Sequence, residues 1–375
     1  MVTSHYPYCN HALWYTNIRQ YGWSGVDLFF VLSGYLIGSQ IFREVRREGK
    51  LSFGNFYFKR ALRILPAYLS VVALYFFFPL VREASGISPL WRFLTFTQNF
   101  GLDFGKNGTF SHAWSLCVEE HFYLLLPLLT FVFMKLKRPV RYVAALFLAL
   151  FIFGPLSRWV AWSDYASSLG AISSSQSEAK YFRLVYYPTY NHLEGLLLGI
   201  GLGLFQTFRP NSWKRALTYS RLIFCGGVTF LIVALTVCVR GKSRSFGAAV
   251  WGFPLFSISY GCFVLASLSP RSWLSRVRLA PVSWLSTLAF CTYLTHKPVI
   301  KYVHQWTGQL GYSEFGVQTT AATIFAILGV ASVLHFLVEE PFLRYRDRKL
   351  AQRRSIKASS LSYPLPITQM PSAQG

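Results

Sequence analysis

The sequence predicts an all-α protein, a polytopic bundle of transmembrane helices, and three observations predict it. Nine apolar stretches approach or exceed the roughly 20 residues that a helix needs to cross the hydrocarbon core. Basic residues alternate between crowded and sparse connections: of the 37 Lys and Arg, 25 fall in one alternating set and 12 in the other. The composition is 53% hydrophobic and 18% aromatic with only 14% charged residues, which belongs to the membrane class. Positive residues stay cytoplasmic. The crowded set (43–63, 135–141, 209–221, 271–278 and everything from 344 onward) is therefore inside, with the carboxyl end, and Met1 is outside. The expected location is the inner (plasma) membrane, multi-pass. A net charge of +23 would suit a polyanion, but it is spread over short connections. Topology and anionic head groups account for it there, which makes lipids the partner and excludes nucleic acid.

The expected spans are 25–42, 62–81, 113–134, 142–162, 187–207, 221–239, 247–269, 281–303 and 317–339. Residues 1–24 lack a continuous apolar core, so no cleavable signal peptide is expected. A chain that starts outside with the short run Val2-Thr3-Ser4 implies an upstream span. Either the first helix is absent or the start codon is misplaced, and the second is favoured. The connection 43–61 is charged (Arg43, Glu44, Arg46, Arg47, Glu48, Lys50) and extends the preceding helix. At the start of the next span, Arg60 and Arg63 are three residues apart and share a helix face. Guanidinium groups bind phosphate bidentately, so the pair suits either topology anchoring or a phosphate-bearing substrate. The outside segments 82–112 and 163–186, the second with Ser173-Ser174-Ser175-Gln176-Ser177, are long enough to suggest contact with an acceptor. Glycines at 195, 199, 201 and 203 place small residues along one helix face, which favours close packing. Residues 1–350 form one membrane domain, and the polar, Pro-containing tail 351–375 is expected to be disordered. The cysteines (Cys9, Cys117, Cys225, Cys238, Cys262, Cys291) form no CxxC pair and fall mostly in spans, so neither a disulfide framework nor a metal site is expected.

Charge inside a bilayer is costly, so intramembrane ionisable residues face a cavity or a partner. Asp27, Glu119, Glu120, Glu194, Glu339 and Glu340 lie within or at the edges of spans, with His112, His121, His192, His296 and His335. A pure scaffold does not need so many, and together they point to an internal polar site. Glu339 and Glu340 also have a simpler use, pairing with Arg344 and Arg346.

Several segments together resemble the integral-membrane acyltransferase 3 family. Gly25-Val-Asp-Leu-Phe-Phe-Val-Leu-Ser-Gly-Tyr-Leu-Ile37 is similar to its GVDLFFVLSGYLI segment, and Phe58-Lys-Arg-Ala-Leu-Arg-Ile-Leu-Pro66 contains its R-x-x-R element as Arg60 and Arg63. His112-Ala-Trp-Ser-Leu-Cys-Val-Glu-Glu-His-Phe-Tyr123 resembles TWSLSVEEQFYL, with His121 for the usual Gln. Tyr187 to Gly199 resembles a later R-x-D-x-L-x-x-G segment, with His192 and Glu194 for Arg and Asp. Thr292 to Pro298 and Val338 to Leu343, followed by Arg344, match closing motifs. The resemblance covers about residues 1–350. It implies ten spans with both ends cytoplasmic, of which this chain would lack the first, and O-acylation of sugars and related acceptors. It also implies an essential His near the first span, for which His5 is the favoured match and His11 the rival, with no counterpart for the Arg that precedes it.

Acyl transfer from a thioester to a hydroxyl needs a base and stabilisation of the developing oxyanion. The resemblance gives His5 the base role, with Asp27 or Glu120 orienting its ring and Arg60 and Arg63 holding the phosphates of acyl-CoA, the acyl group being most commonly acetyl. The alternative is that His5 carries the acyl group transiently. The donor would be a substrate, with no tightly bound cofactor, and the acceptor a cell-surface or lipid-linked carbohydrate. A different class, a proton-coupled transporter or flippase, would also use intramembrane acids and Gly-rich helices. Against it stand the absence of an inverted hydropathy repeat and the Arg60/Arg63 pair.

Overall fold

A computed structural model describes residues 22–137, 139–240, 244–272, 279–314 and 316–362. Regular structure among the described residues is helical throughout. The first long helix, α1, runs Gly25–Glu48 and ends at Gly49, whose φ of 65° is the left-handed conformation glycine adopts without strain. It carries on into the charged connection only as far as Glu48, and residues 53–61, expected to extend the same helix, belong to the next one instead. Helix α2 spans Phe53–Phe77 and α3 Trp114–Met134; α4 covers Pro139–Ser167 and α5 Leu193–Phe208. Then come α6 (Ser220–Arg240), α7 (Phe253–Ser267), α8 (Ala280–Gln309), α9 (Val317–Leu334) and α10 (Glu340–Ser362). Helix α10 continues past 351 as far as Ser362.

The expected start of the second span, residue 62, is corrected: α2 begins at Phe53. Its first turns are aromatic rather than polar. Phe56 is buried, and Phe53 meets Phe131 of α3 edge-on at 5.8 Å. Arg60 and Arg63 therefore project from the body of a helix, about two turns in.

Among the described residues, seven helical segments are long and apolar enough to cross a membrane. They contain α1, α2, α3, α4, α6, α7 and the joined α9–α10 segment Val317–Arg353. Of the other two expected spans, α5 has 16 residues, about 24 Å of helix, shorter than a typical hydrocarbon core of roughly 30 Å. Helix α8 is long enough at 30 residues, but His296, Lys297, Lys301 and His304 break its apolar run.

The centre of the bundle is the α1–α5 contact, the most extensive helix pair. A Cβ at Gly34 of α1 would collide with the Leu196 carbonyl, and one at Gly199 of α5 with the backbone of Val31 and Tyr35. At Gly195 it would lie 2.9 Å from Phe30 Cβ, and at Gly203 2.8 Å from Ser39 N. The small-residue face predicted from the sequence is thus a seam at which the two helix backbones touch directly. Gly201 faces Phe147 of α4 instead.

The two long segments expected to lie outside are built structure. Residues 82–112 fold into short helices (Leu90–Leu94 and Phe104–Asn107) that bury Phe93, Gln98, Asn99, Leu102 and Phe110. The Ser-rich stretch becomes the helix Ser174–Tyr181, opened by a capping box between Ser173 and Gln176. Three π-helical turns, at Phe182–Tyr186, Ala248–Gly252 and His335–Glu339, interrupt the regular ladder. A wide turn of this kind frees backbone carbonyls for other donors, and such turns recur at functional sites.

Candidate active site

Three polar clusters run through the bundle. A cleft of about 250 Å³ is lined by Gln40 of α1, Lys59, Arg60 and Arg63 of α2, and Arg346 and Asp347 of α10. Arg60 is half-buried and Arg63 exposed. Their spacing by three residues puts both on the face that α10 covers.

Arg60 also looks inward. Its guanidinium stacks on the Tyr123 ring of α3, 4.5 Å from the centroid, and interacts with Glu119 and Glu120. The Tyr123 hydroxyl is hydrogen-bonded to Ser33 of α1, and both hydroxyls interact with the Glu119 carboxylate. Glu119 is 2% exposed. One oxygen of Glu119 and one of Glu120 lie buried without a hydrogen-bond partner among the described residues. Buried acceptors of this kind ordinarily have partners, so these are poised to receive a proton or a donor group. Next to them on α3, His121 bonds Thr189 at 2.9 Å and stacks on Phe100.

The next cluster lies further along α1. Asp27 is buried and shares its surroundings with Arg158 of α4 and Glu194 of α5. Arg158 is fully buried and pairs with Glu194 at 2.5 Å and 3.3 Å. It also donates to the carbonyls of Asn191 and Val250 and stacks on Phe253. Two π turns supply this site. Val250 lies in one, and Tyr186 of another accepts from His192. Asn191 bonds the freed carbonyls of Leu184 and Val185. His192 is walled by Trp114, Tyr186 and Phe253, and its other ring nitrogen has no hydrogen-bond partner among the described residues.

The third cluster joins α8 to the chain after α2. His112 lies 3.8 Å from Glu83 and packs on His296, ring centroids 4.6 Å apart. Lys297 donates to Ser111 at 2.8 Å. Elsewhere, Cys291, His335 and Glu339 each offer one ligand atom within 4.8 Å of one another. They could hold a metal ion, and as they stand they satisfy one another. Glu339 accepts from Cys291 at 3.2 Å and contacts His335 Nδ1 at 2.8 Å.

The structure separates the two sequence-predicted carboxylates. Asp27 belongs to the Arg158–Glu194 cluster and Glu120 to the Arg60 cluster. His5 and His11 lie outside the described residues. Glu339 and Glu340 divide: Glu340 pairs with Arg344 at 2.7 Å, whereas Glu339 turns into the core, and Arg346 pairs with Asp347. Arg158 was not singled out from the sequence. Its signal was a lone cation inside a long apolar run, complementary to a lone acid in another, Glu194. Ser33 and Tyr123 lie in the family-like segments without a signal of their own, and Arg346 is expected from the sequence only as a partner of Glu339 or Glu340.

Comparison with known proteins gives this arrangement a family. The chain is 28% identical over 300 residues to the peptidoglycan O-acetyltransferase OatA of Listeria monocytogenes, covering 74% of this chain and 45% of that protein. It is 26% identical over 357 residues to a Staphylococcus aureus (strain MRSA252) protein assigned as an O-acetyltransferase, covering 89% of this chain and 55% of the relative. The chain spans about half the length of the curated relatives it matches. No solved structure matches it. The acyltransferase 3 family, described as an acyltransferase domain, matches over residues 7–337, and the chain belongs to that family.

Proposed function

We propose that this protein moves an acyl group, most simply acetyl, from acyl-CoA to a hydroxyl of a cell-surface or lipid-linked carbohydrate. Peptidoglycan is one acceptor class in keeping with the similar Listeria protein. The observation that carries the reading is the position of Arg60, which borders the basic cleft on one side and the buried Glu119–Glu120 pair on the other. A donor whose phosphates rest at the cleft could then extend its thioester into the bundle. In this reading nine spans place the basic end and the carboxyl terminus in the cytoplasm of a plasma-membrane protein, and residues 1–350 are the catalytic domain.

His5 is the proposed base. Its imidazole takes the acceptor hydroxyl's proton as the oxygen attacks the thioester carbonyl, and the CoA thiolate leaves. Histidine suits the task because its unperturbed pKa is about 6.5. Asp27 or Glu120 orients the ring. Asp27 lies on α1 beside a neutralised ion pair, and Glu120 has an unpartnered oxygen. Carbohydrate hydroxyls approach from the end closed by residues 82–112 and 168–192.

Labelled acetyl-CoA binding to the purified protein, compared between wild type and Arg60→Ala, tests the donor role. Cell-surface glycan acetylation by His5→Ala and His11→Ala variants tests the base. Loss of binding in Arg60→Ala, and of acetylation in His5→Ala alone, is expected. Wild-type protein that binds no CoA and modifies no glycan would leave the intramembrane acids and histidines to the transporter reading.

A further inference from the structure

We infer that Arg346 of α10, held by Asp347 until donor arrives, is a third guanidinium of the donor-phosphate site. This rests on the donor reading above. The cleft gathers Lys59, Arg60, Arg63 and Arg346 around a single carboxylate, Asp347. Lys59, Arg60 and Arg63 form no ion pair among the described residues. Glu119 and Glu120 partly compensate Arg60, but Lys59, Arg63 and Arg346 share the cleft with Asp347 alone, so positive charge is in excess there and the cations repel one another. Such an arrangement is stable with a polyanion between them. The nucleotide end of CoA carries several phosphates, whereas a carrier-bound pantetheine carries one.

Arg346 is suited to yield to such a ligand. Its Nε bonds Asp347 Oδ1 at 2.8 Å, and the Asp347 side chain is 64% exposed. A single-contact pair between adjacent residues, open to solvent on the Asp347 side, is weak, and a phosphate can engage a guanidinium through two hydrogen bonds at once. Helix α10 is fixed on α2 by other contacts. Arg353 donates to Asn55 at 2.9 Å and stacks on Phe58 at 5.0 Å. Arg346 is thus presented to the cleft by a helix whose anchorage lies about two turns away and does not involve the ligand. Arg346, far from the α2 pair in sequence, completes one site with it.

The test measures CoA binding by wild type and by Arg346→Ala, Asp347→Asn, Arg348→Ala and Arg60→Ala, with turnover of acetyl-CoA and acetyl-pantetheine alongside. Arg346→Ala should weaken CoA binding about tenfold, a usual cost for losing one charge-assisted phosphate contact, and leave use of acetyl-pantetheine unchanged. Asp347→Asn should tighten CoA binding severalfold, a gain that a damaged fold cannot produce. Arg348, exposed on the same helix and outside the cleft, serves as the control and should not change it. Wild-type affinity in Arg346→Ala, an equal loss with both donors, or weaker binding in Asp347→Asn would overturn the proposal. If wild type binds no CoA, or Arg60→Ala binds it normally, the donor reading itself fails.

Discussion

Replacing Arg158 with alanine removes the cation that pairs with Glu194. Both side chains are essentially unexposed, at 0% and 1%. The substitution strands a carboxylate, and the Val250 and Asn191 carbonyls lose a donor. Breaking one partner from a buried ion pair costs about 3–5 kcal/mol, because the remaining charge stays desolvated. The lost carbonyl contacts add to this, at about 1–3 kcal/mol for each group left unsatisfied. The charge component is separable. In an Arg158→Ala/Glu194→Gln double variant neither member of the pair is left as a lone charge, so much of the charge penalty should return, as in a cycle with strong coupling. The assay is thermal unfolding of detergent-purified protein for wild type, both single variants and the double. Arg158→Ala should fall furthest, Glu194→Gln should be hurt by its orphaned guanidinium, and the double should exceed both. If Arg158→Ala unfolded with wild type, or the double showed the sum of the single losses, the buried pair would not organise this part of the bundle.

Other predictions follow from single contacts. Gly199→Leu drives a side chain into the backbone of Val31 and Tyr35. It should separate α1 from α5 and cost more than the about 1–3 kcal/mol typical of overpacking, read as lost expression and a lower unfolding temperature. Gly154→Ala places a Cβ against the Glu194 carboxylate, so it should weaken the same ion pair and be less harmful when Glu194 is Gln; unfolding temperature again reports it. Tyr123→Phe keeps the ring under Arg60 but loses the bond to Ser33. Donor affinity should change little while kcat falls, and a raised KM with unchanged kcat would contradict this. His335→Ala leaves Glu339 buried without its cation-capable neighbour. It should destabilise by about 1–3 kcal/mol, more than Cys291→Ser, which keeps a hydroxyl donor for the same oxygen.

The helices were legible because an apolar run of bilayer length has few other uses, and the Arg60–Arg63 spacing fixes a shared face whatever surrounds it. The α1–α5 seam was legible as glycines four apart, since only backbone-to-backbone contact explains them. The start of α2 was not. Phe53–Phe58 interleaves aromatic residues with polar ones, and only packing on Phe131 and Arg353 reveals it as helix. Arg158 was absorbed into the sparse charge set, although a buried cation in α4 demands an acid elsewhere. The return of α10 onto α2 joins residues nearly 300 positions apart, as Arg353 to Asn55 shows, and no local pattern encodes that. The π turns have no sequence signature either. They matter because their freed carbonyls hold Arg158, His192 and Asn191 in place.

The most direct test of the account uses the protein in sealed vesicles, with labelled acetyl-CoA added to one face and a glycan acceptor to the other. Acetylated glycan should form only when the thioester is on the face bearing Arg60, Arg63 and Arg346. Equal labelling from either face, or none from that face, would contradict a donor entering at the basic cleft and reacting inside the bundle.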